Sequence, residues 1–335
     1  MNSRTIGASL MVAGTSIGGG MLALPSMAAQ MGYSLTVLSF LACWGVMYLS
    51  AINMMQATLL APPKSHFLSI SLRQLGPFAM SLTGLVYLAL LLCLNAGYLD
   101  GLRQILGSPS ASLSDLIMIG SFFGLIILLG YRAIDWANRG LMVVMVFSFI
   151  ILVGLLSWVC QPGLLVNQHT HLSAPLTYPC LQLMITSFGY QIIIPSIAQY
   201  VDYNKTSVHK AIIFGSLITL AVYFIWITLI MAYIPQAEIL SWQGNVVQKL
   251  IEAMPKLSSM LGLFSAAAIA TSFLGVSLCL LDFLADGLKH FKCQRSWLTI
   301  LVNIPAITMV YWGFKFTNGL AIGGIFVALL LILLP

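Results

Sequence analysis

The chain is predicted to fold as an all-α polytopic membrane protein of about ten transmembrane helices, built as a 5+5 inverted repeat in which helices 1 and 6 are discontinuous. Three observations predict this. The chain is 60% hydrophobic and 7% charged, whereas about a quarter of the residues of a soluble domain carry charge. Its apolar residues form long continuous runs, and about 20 such residues cross a bilayer. Glycine and proline interrupt the first and sixth runs at corresponding places.

The runs lie near 5–31, 34–61, 77–106, 113–132, 136–160, 177–202, 209–234, 258–288, 296–313 and 318–335. A membrane barrel would show short strands of alternating polarity, and these blocks do not alternate. Arg4 before an apolar stretch imitates a secretory signal, but glycines occupy the place of a compact leucine-rich core and further spans follow, so the stretch is read as the first membrane helix. With the N-terminus in the cytoplasm, ten basic residues fall inside (Arg4, Lys64, Arg73, Arg132, Arg139, Lys205, Lys210, Lys289, Lys292, Arg295) and four outside (Arg103, Lys249, Lys256, Lys315). This bias places both termini in the cytoplasm. The formal charge of +6 therefore reflects topology and contact with the lipid bilayer, and implies no nucleic acid partner.

Cys43, Cys93, Cys160, Cys180, Cys279 and Cys293 are scattered over different segments and form no CxxC pair, so they read as small apolar residues. His169 and His171 form an HxH without acidic or cysteine company, which is a poor metal site. No cofactor is expected.

The first span contains GTSIGGGMLALP, residues 14–25. Each glycine costs a helix interior about 1 kcal/mol relative to alanine, so three together mark a soft turn. The sixth span carries TSFGYQ at its middle, and a shift of 170 positions lays Ser16 on Thr186, Gly19 on Gly189 and Pro25 on Pro195. Each proline lacks an amide hydrogen and crowds the carbonyl four residues earlier, that of Met21 or of Gln191. An odd number of helices per half turns the second half upside down, as in many secondary transporters. The halves are 1–160, broken near 14–20, and 177–335, broken near 186–191. The plainer alternative is packing: Gly14 and Gly18 make a GxxxG, and proline kinks are common in membrane helices.

A helix broken in mid-membrane presents amide hydrogens at one end and carbonyls at the other, each with about half a unit of charge. A small zwitterion suits both ends. Its carboxylate would lie on the amides of Gly18, Gly19 and Gly20. Its ammonium would take carbonyls near Ser16 and Phe188, with a hydroxyl from Ser16 or Ser187. Phe188, Tyr190 and Gln191, beside the Gly189 break, would flank its side chain. Asn95 and Tyr98 share a face of the third helix and are either substrate contacts or, respectively, interhelical glue and an interfacial aromatic. In the eighth span, the Thr271 and Ser272 hydroxyls and the Ala268 carbonyl could join backbone oxygens near Gly14 and Ile17 around a coupling cation. Alternatively, the hydroxyls bond their own helix. No carboxylate sits at the midplane: Asp100 pairs with Arg103 near an outer end, and Asp282, the deepest, is read as structural beside Lys289.

The segments GTSIGGGMLALP, SFGYQIIIPS and ATSFLGVSLCLLDFLADGL resemble the bacterial aromatic amino acid permeases, the tyrosine- and tryptophan-specific transporters, and the similarity runs through the whole chain. The resemblance implies the leucine-transporter-type fold. It also implies symport of an aromatic amino acid across the bacterial inner membrane, with a proton rather than sodium as coupling cation. It supports Ser16, Gly18, Gly19 and Gly20 as backbone substrate contacts, with Phe188 and Gly189 at the sixth-helix break. Two departures stand out. Gln191 occupies a place where the family commonly has histidine, and the chain stops at LLLILLP where the family usually has an eleventh helix, which implies a truncated or degraded member. A transporter-like sensor, an inactive remnant and a channel stay open as alternatives. An enzyme is not expected, since no nucleophile, base and orienting group recur at usable spacing.

Overall fold

The computed structural model describes residues 3–62, 67–106, 112–166, 168, 174–242, 245–287 and 294–333. His169, His171, Cys293, Lys64, Lys289 and Lys292 lie outside them. In chain order the helices are α1 (Ser3–Ser16), α2 (Gly20–Met31), α3 (Tyr33–Leu60), α4 (Phe67–Ile105), α5 (Leu113–Leu128), α6 (Tyr131–Val159), α7 (Gly163–Val166) and α8 (Ala174–Ser187). After a 3-10 turn at Gln191–Ile193 come α9 (Ile194–Tyr200), α10 (Lys205–Tyr233), α11 (Gln236–Leu240), α12 (Val246–Glu252), α13 (Ser258–Gly287), α14 (Arg295–Tyr311) and α15 (Phe316–Leu333).

Among the described residues, six segments are long and apolar enough to cross a membrane, including Tyr33–Leu60, Gly76–Ile105, Pro179–Tyr200 and Lys205–Tyr233. Two further pairs qualify only jointly: α1 with α2, bent by 57°, and the helices around Tyr311 and Phe316, bent by 119°. The break expected in the first span is therefore present, and its cause is the glycine run. The sixth span is interrupted as well, between Ser187 and Gln191. The short helices α7, α11 and α12 were not anticipated, because they lie in the polar connections where no long apolar run announces them.

At Gly76 the backbone of α4 leaves helical geometry (φ 87°, ψ 180°), and Pro77 follows, so α4 is two helices in sequence and the membrane part starts where the apolar run starts. A φ near +90° is open to glycine and strained for other residues.

Close crossings occur where side chains are absent. A Cβ on Gly319 of α15 would lie 2.7 Å from the Gly97 Cα of α4, and one on Gly215 of α10 would lie 2.5 Å from the Ser9 carbonyl oxygen of α1. The GxxxG glycines, in contrast, face side chains: Gly14 meets Met142, and Gly18 meets Ser272. The first-span glycines thus do not serve a backbone-to-backbone helix crossing.

Buried apolar residues form two cores. The smaller gathers Ala8 and Val12 of α1, Met54 of α3, Ile197 of α9 and Ile212 of α10. The larger unites α2, α8 and the far half of α10 with α4, α6, α13, α14 and α15.

Candidate functional site

The two breaks have the same build. α1 ends at Ser16 and α8 at Ser187, and each is followed by three non-helical residues, 17–19 and 188–190. Ser16 and Ser187 are the last residues of their half-helices, and each hydroxyl donates back to its own helix, to Val12 O at 3.3 Å and Leu183 O at 2.8 Å. The hydroxyls are thereby committed, and the carbonyls are what each end presents to the gap.

Those carbonyls are met by α10. The Tyr223 hydroxyl lies 2.6 Å from Ser16 O and 2.8 Å from Ser187 O, one group facing both ends. One turn further along α10, the Trp226 indole donates to Met21 O at 3.0 Å. Met21 is four residues before Pro25, so Trp226 satisfies the carbonyl that the proline leaves without its helical partner. Both side chains are fully buried. Sequence reasoning passed over them as apolar bulk. The available signal was a tyrosine and a tryptophan three positions apart in the middle of a greasy helix, where their polar ends need partners.

Within the first break the glycine amides are already paired: Gly18 N–H donates to Ser16 O at 2.9 Å, and Gly19 N–H to Ser272 Oγ at 3.1 Å. Gly20 opens α2 and faces Ser187 across the gap, with a Cβ there falling 3.3 Å from Ser187 Oγ. Tyr98 is at the same place: its ring lies 2.9 Å from where a Gly19 Cβ would stand and leans on Phe316. Phe188 is fully buried and packs edge-on against Tyr223 and Phe40, at centroid distances of 5.2 and 6.0 Å. The structure therefore gathers Ser16, Gly18, Gly19, Gly20, Tyr98, Ser187 and Phe188 around one point, with Ser272 from α13.

Other expected residues are engaged elsewhere. Asn95 donates to Val302 O of α14 at 3.2 Å and accepts from Ser277 of α13 at 2.8 Å, so its amide holds three helices together. Gln191 reaches away from the gap and donates to Met47 O of α3 at 3.0 Å. Gly189 N–H and Tyr190 N–H close tight turns onto Thr186 O and Phe188 O, and the Tyr190 ring belongs to the smaller core. Thr271 and Ser272 both donate to Ala268 O, at 3.0 and 3.1 Å, which is the self-bonding alternative for the cation cluster. Ile17 N–H returns to Ala13 O, and Gly14 abuts Met142.

Just beyond the break, a cavity of about 80 Å³ lies between α2, α8 and α15, lined by Ser26, Gln30, Cys180 and Thr317 among others. Small-molecule sites usually exceed about 300 Å³. The halves must separate to admit anything larger than a few waters.

Comparison with known proteins decides the family. The model of the tryptophan/tyrosine permease family matches residues 1–335. The chain belongs to this family. A relative named tyrosine-specific transport system 1, from Haemophilus influenzae, is 28% identical over 349 residues, covering 99% of this chain and 87% of its own length. A tryptophan-specific transport protein from Pseudomonas aeruginosa is 30% identical over 336 residues, covering 94% and 79%. Among solved structures, Mhp1, a nucleobase-cation-symport-1 family transporter, superposes with a TM-score of 0.62 at 13% identity, over 94% of this chain and 74% of its own. MhsT in complex with L-phenylalanine also scores 0.62 at 13% identity, over 97% and 88%. The fold is accordingly of the leucine-transporter type, and the chain is a multi-pass bacterial membrane permease, not an enzyme.

Proposed function

We propose that this permease is a secondary active importer of aromatic amino acids, working by alternating access in the inner membrane with both termini cytoplasmic. The observation that carries it is the paired break: two half-helices end in carbonyls at Ser16 and Ser187 within reach of one hydroxyl, and α2 starts beside them at Gly20. An ammonium group suits the first set and a carboxylate the second. Tyr98, Phe188 and Phe40 supply aromatic walls for the substrate side chain. The names of the relatives support tyrosine or tryptophan as substrate.

Alternation would move α1, α3, α9 and the near half of α10, which share the smaller core, against the rest. The proposed division into 1–160 and 177–335 is supported by matching contacts: α4 packs on α5 and α15, and its counterpart α13 packs on α14 and α6. A proton is the coupling ion in this proposal. Ala268 O already accepts from both α13 hydroxyls and Ser272 Oγ accepts from Gly19 N–H, so lone pairs that a sodium ion would need at that corner are engaged.

Counterflow in proteoliposomes tests the proposal. Labelled tyrosine or tryptophan should accumulate against its unlabelled form in the vesicles, and an imposed pH gradient should drive uptake in the absence of sodium. Saturable binding without exchange would point to a sensor, and conductance without saturation to a channel. Gly19→Val should abolish uptake while the protein still inserts, because the new Cβ alone comes within 2.9 Å of the Tyr98 ring. Normal uptake by that variant would count against the site.

A further inference from the structure

Tyr223 holds a position whose hydrogen bonds do not balance. Three oxygens meet there: the carbonyls of Ser16 and Ser187 and the phenol between them, at 2.6 and 2.8 Å. The phenol has one proton and can give it to one carbonyl at a time. The other contact is then oxygen against oxygen, at the negative ends of two helix dipoles, in a site closed to water. Ser16 O has a second donor in Gly18 N–H, so Ser187 O depends most on the phenol. The cluster is short of N–H groups and of positive charge.

We propose that Tyr223 is a specificity-determining residue that recognises the substrate's ammonium group jointly with the two helix ends. This rests on the proposed carriage of amino acids and adds to it a group from a third helix. Three N–H bonds close the balance. One goes to Ser16 O, which keeps Gly18 N–H on its other lone pair. One goes to Ser187 O, which keeps the phenol proton. The third goes to the phenol oxygen, which so far only donates. Each carbonyl lone pair and each hydrogen at the junction then has a partner, the phenol oxygen accepts as well as donates, and α10 is tied to the same ligand as α1 and α8. An uncharged or ammonium-free analogue leaves the junction as unbalanced as before.

Tyr223→Phe removes the hydroxyl and keeps the ring that packs against Phe188 and Phe40. Binding to the purified full chain is measured by competition against labelled tyrosine, using tyramine, which keeps the ammonium, and 3-(4-hydroxyphenyl)propionate, which keeps the carboxylate. Tryptophan, tryptamine and indole-3-propionate form the parallel set. The variant should lose about tenfold or more in affinity for the amino acid and for the amine, the scale of a hydrogen bond to a charged group. The ammonium-free acid should be unaffected. Phe40→Leu disturbs the same aromatic cluster and spares the hydroxyl, so it should shift amine and acid alike. Unchanged amino acid affinity in Tyr223→Phe, or an equal loss for amine and acid, overturns the role of Tyr223. Wild-type protein that binds neither tyrosine nor tryptophan overturns instead the carriage on which it rests.

Discussion

The two ends of the molecule are fastened by different physics. At the end where α2 finishes and α15 begins, Asp100 is 1% exposed and fully engaged: it pairs with Arg103 at 2.7 Å and accepts from Gln104 and from the first amide of α15, Phe316 N–H, both at 2.8 Å. Gln104 in turn accepts from Val247 N–H at the start of α12. One carboxylate and its neighbour thus knot α4, α15 and α12 inside the larger core. At the end where α1 begins, the ties among the described residues are exposed: an ion pair between Arg4 and Asp202, whose side chains are 60% and 78% exposed, and a Tyr48–His209 hydrogen bond. There α1, α3, α9 and the near half of α10 share the smaller core. A buried, saturated knot resists separation, whereas an exposed pair adds about 0–1 kcal/mol. The difference teaches that this conformation is locked at one end and lightly latched at the other, so the α1 end opens at lower cost.

The sharpest way to break that contrast is Asp100→Ala. It removes the carboxylate that faces the buried Arg103 charge, and breaking a buried pair costs about 3–5 kcal/mol, so thermal unfolding in detergent should fall accordingly. The double replacement of Asp100 and Arg103 by apolar residues should recover much of the loss, and a single variant as stable as wild type would show that the knot is no lock. Trp226→Phe acts on the middle of the molecule. It strands the carbonyl of Met21 in a buried place and should cost about 1–3 kcal/mol, read by the same melt. The smallest effect is expected from Arg4→Ala, at most about 1 kcal/mol and weaker still in high salt. A large loss there would mean that the α1 end is held as firmly as the other and would erase the asymmetry.

Much of this was legible in the residues themselves. The break at Gly18–Gly20 and its echo at Phe188–Gly189 are local properties, since glycine and proline declare backbone behaviour wherever they stand. Spacing left Tyr98 as either a substrate contact or an interfacial aromatic, and the structure buries it beside Gly19 and Phe316. What stayed hidden depended on partners far along the chain. Asp100 looked like an outer-end pair with Arg103 because Phe316 N–H and Val247 N–H, its more distant connections, are brought in only by the packing of α15 and α12. Asn95 and Gln191 were drawn toward the gap by their polarity, but a buried amide takes whichever carbonyl the tertiary fold offers, here Val302 O and Met47 O. Tyr223 and Trp226 were overlooked for the same reason, since the carbonyls they serve become acceptors only after other helices have broken.

The crossing of Gly97 with Gly319 leads in a different direction. A methyl at either position would strike backbone, at distances of 2.7 to 3.1 Å, and backbone has no rotamer with which to step aside. Drift toward alanine, the mildest of substitutions on a lipid-facing helix, is barred at this spot. A tight steric constraint thus falls on residues with no side chain at all, here as at Gly215 against Ser9 O and Gly324 against Gln182 O, and a family-wide survey of tolerated changes should find quiet columns at these places.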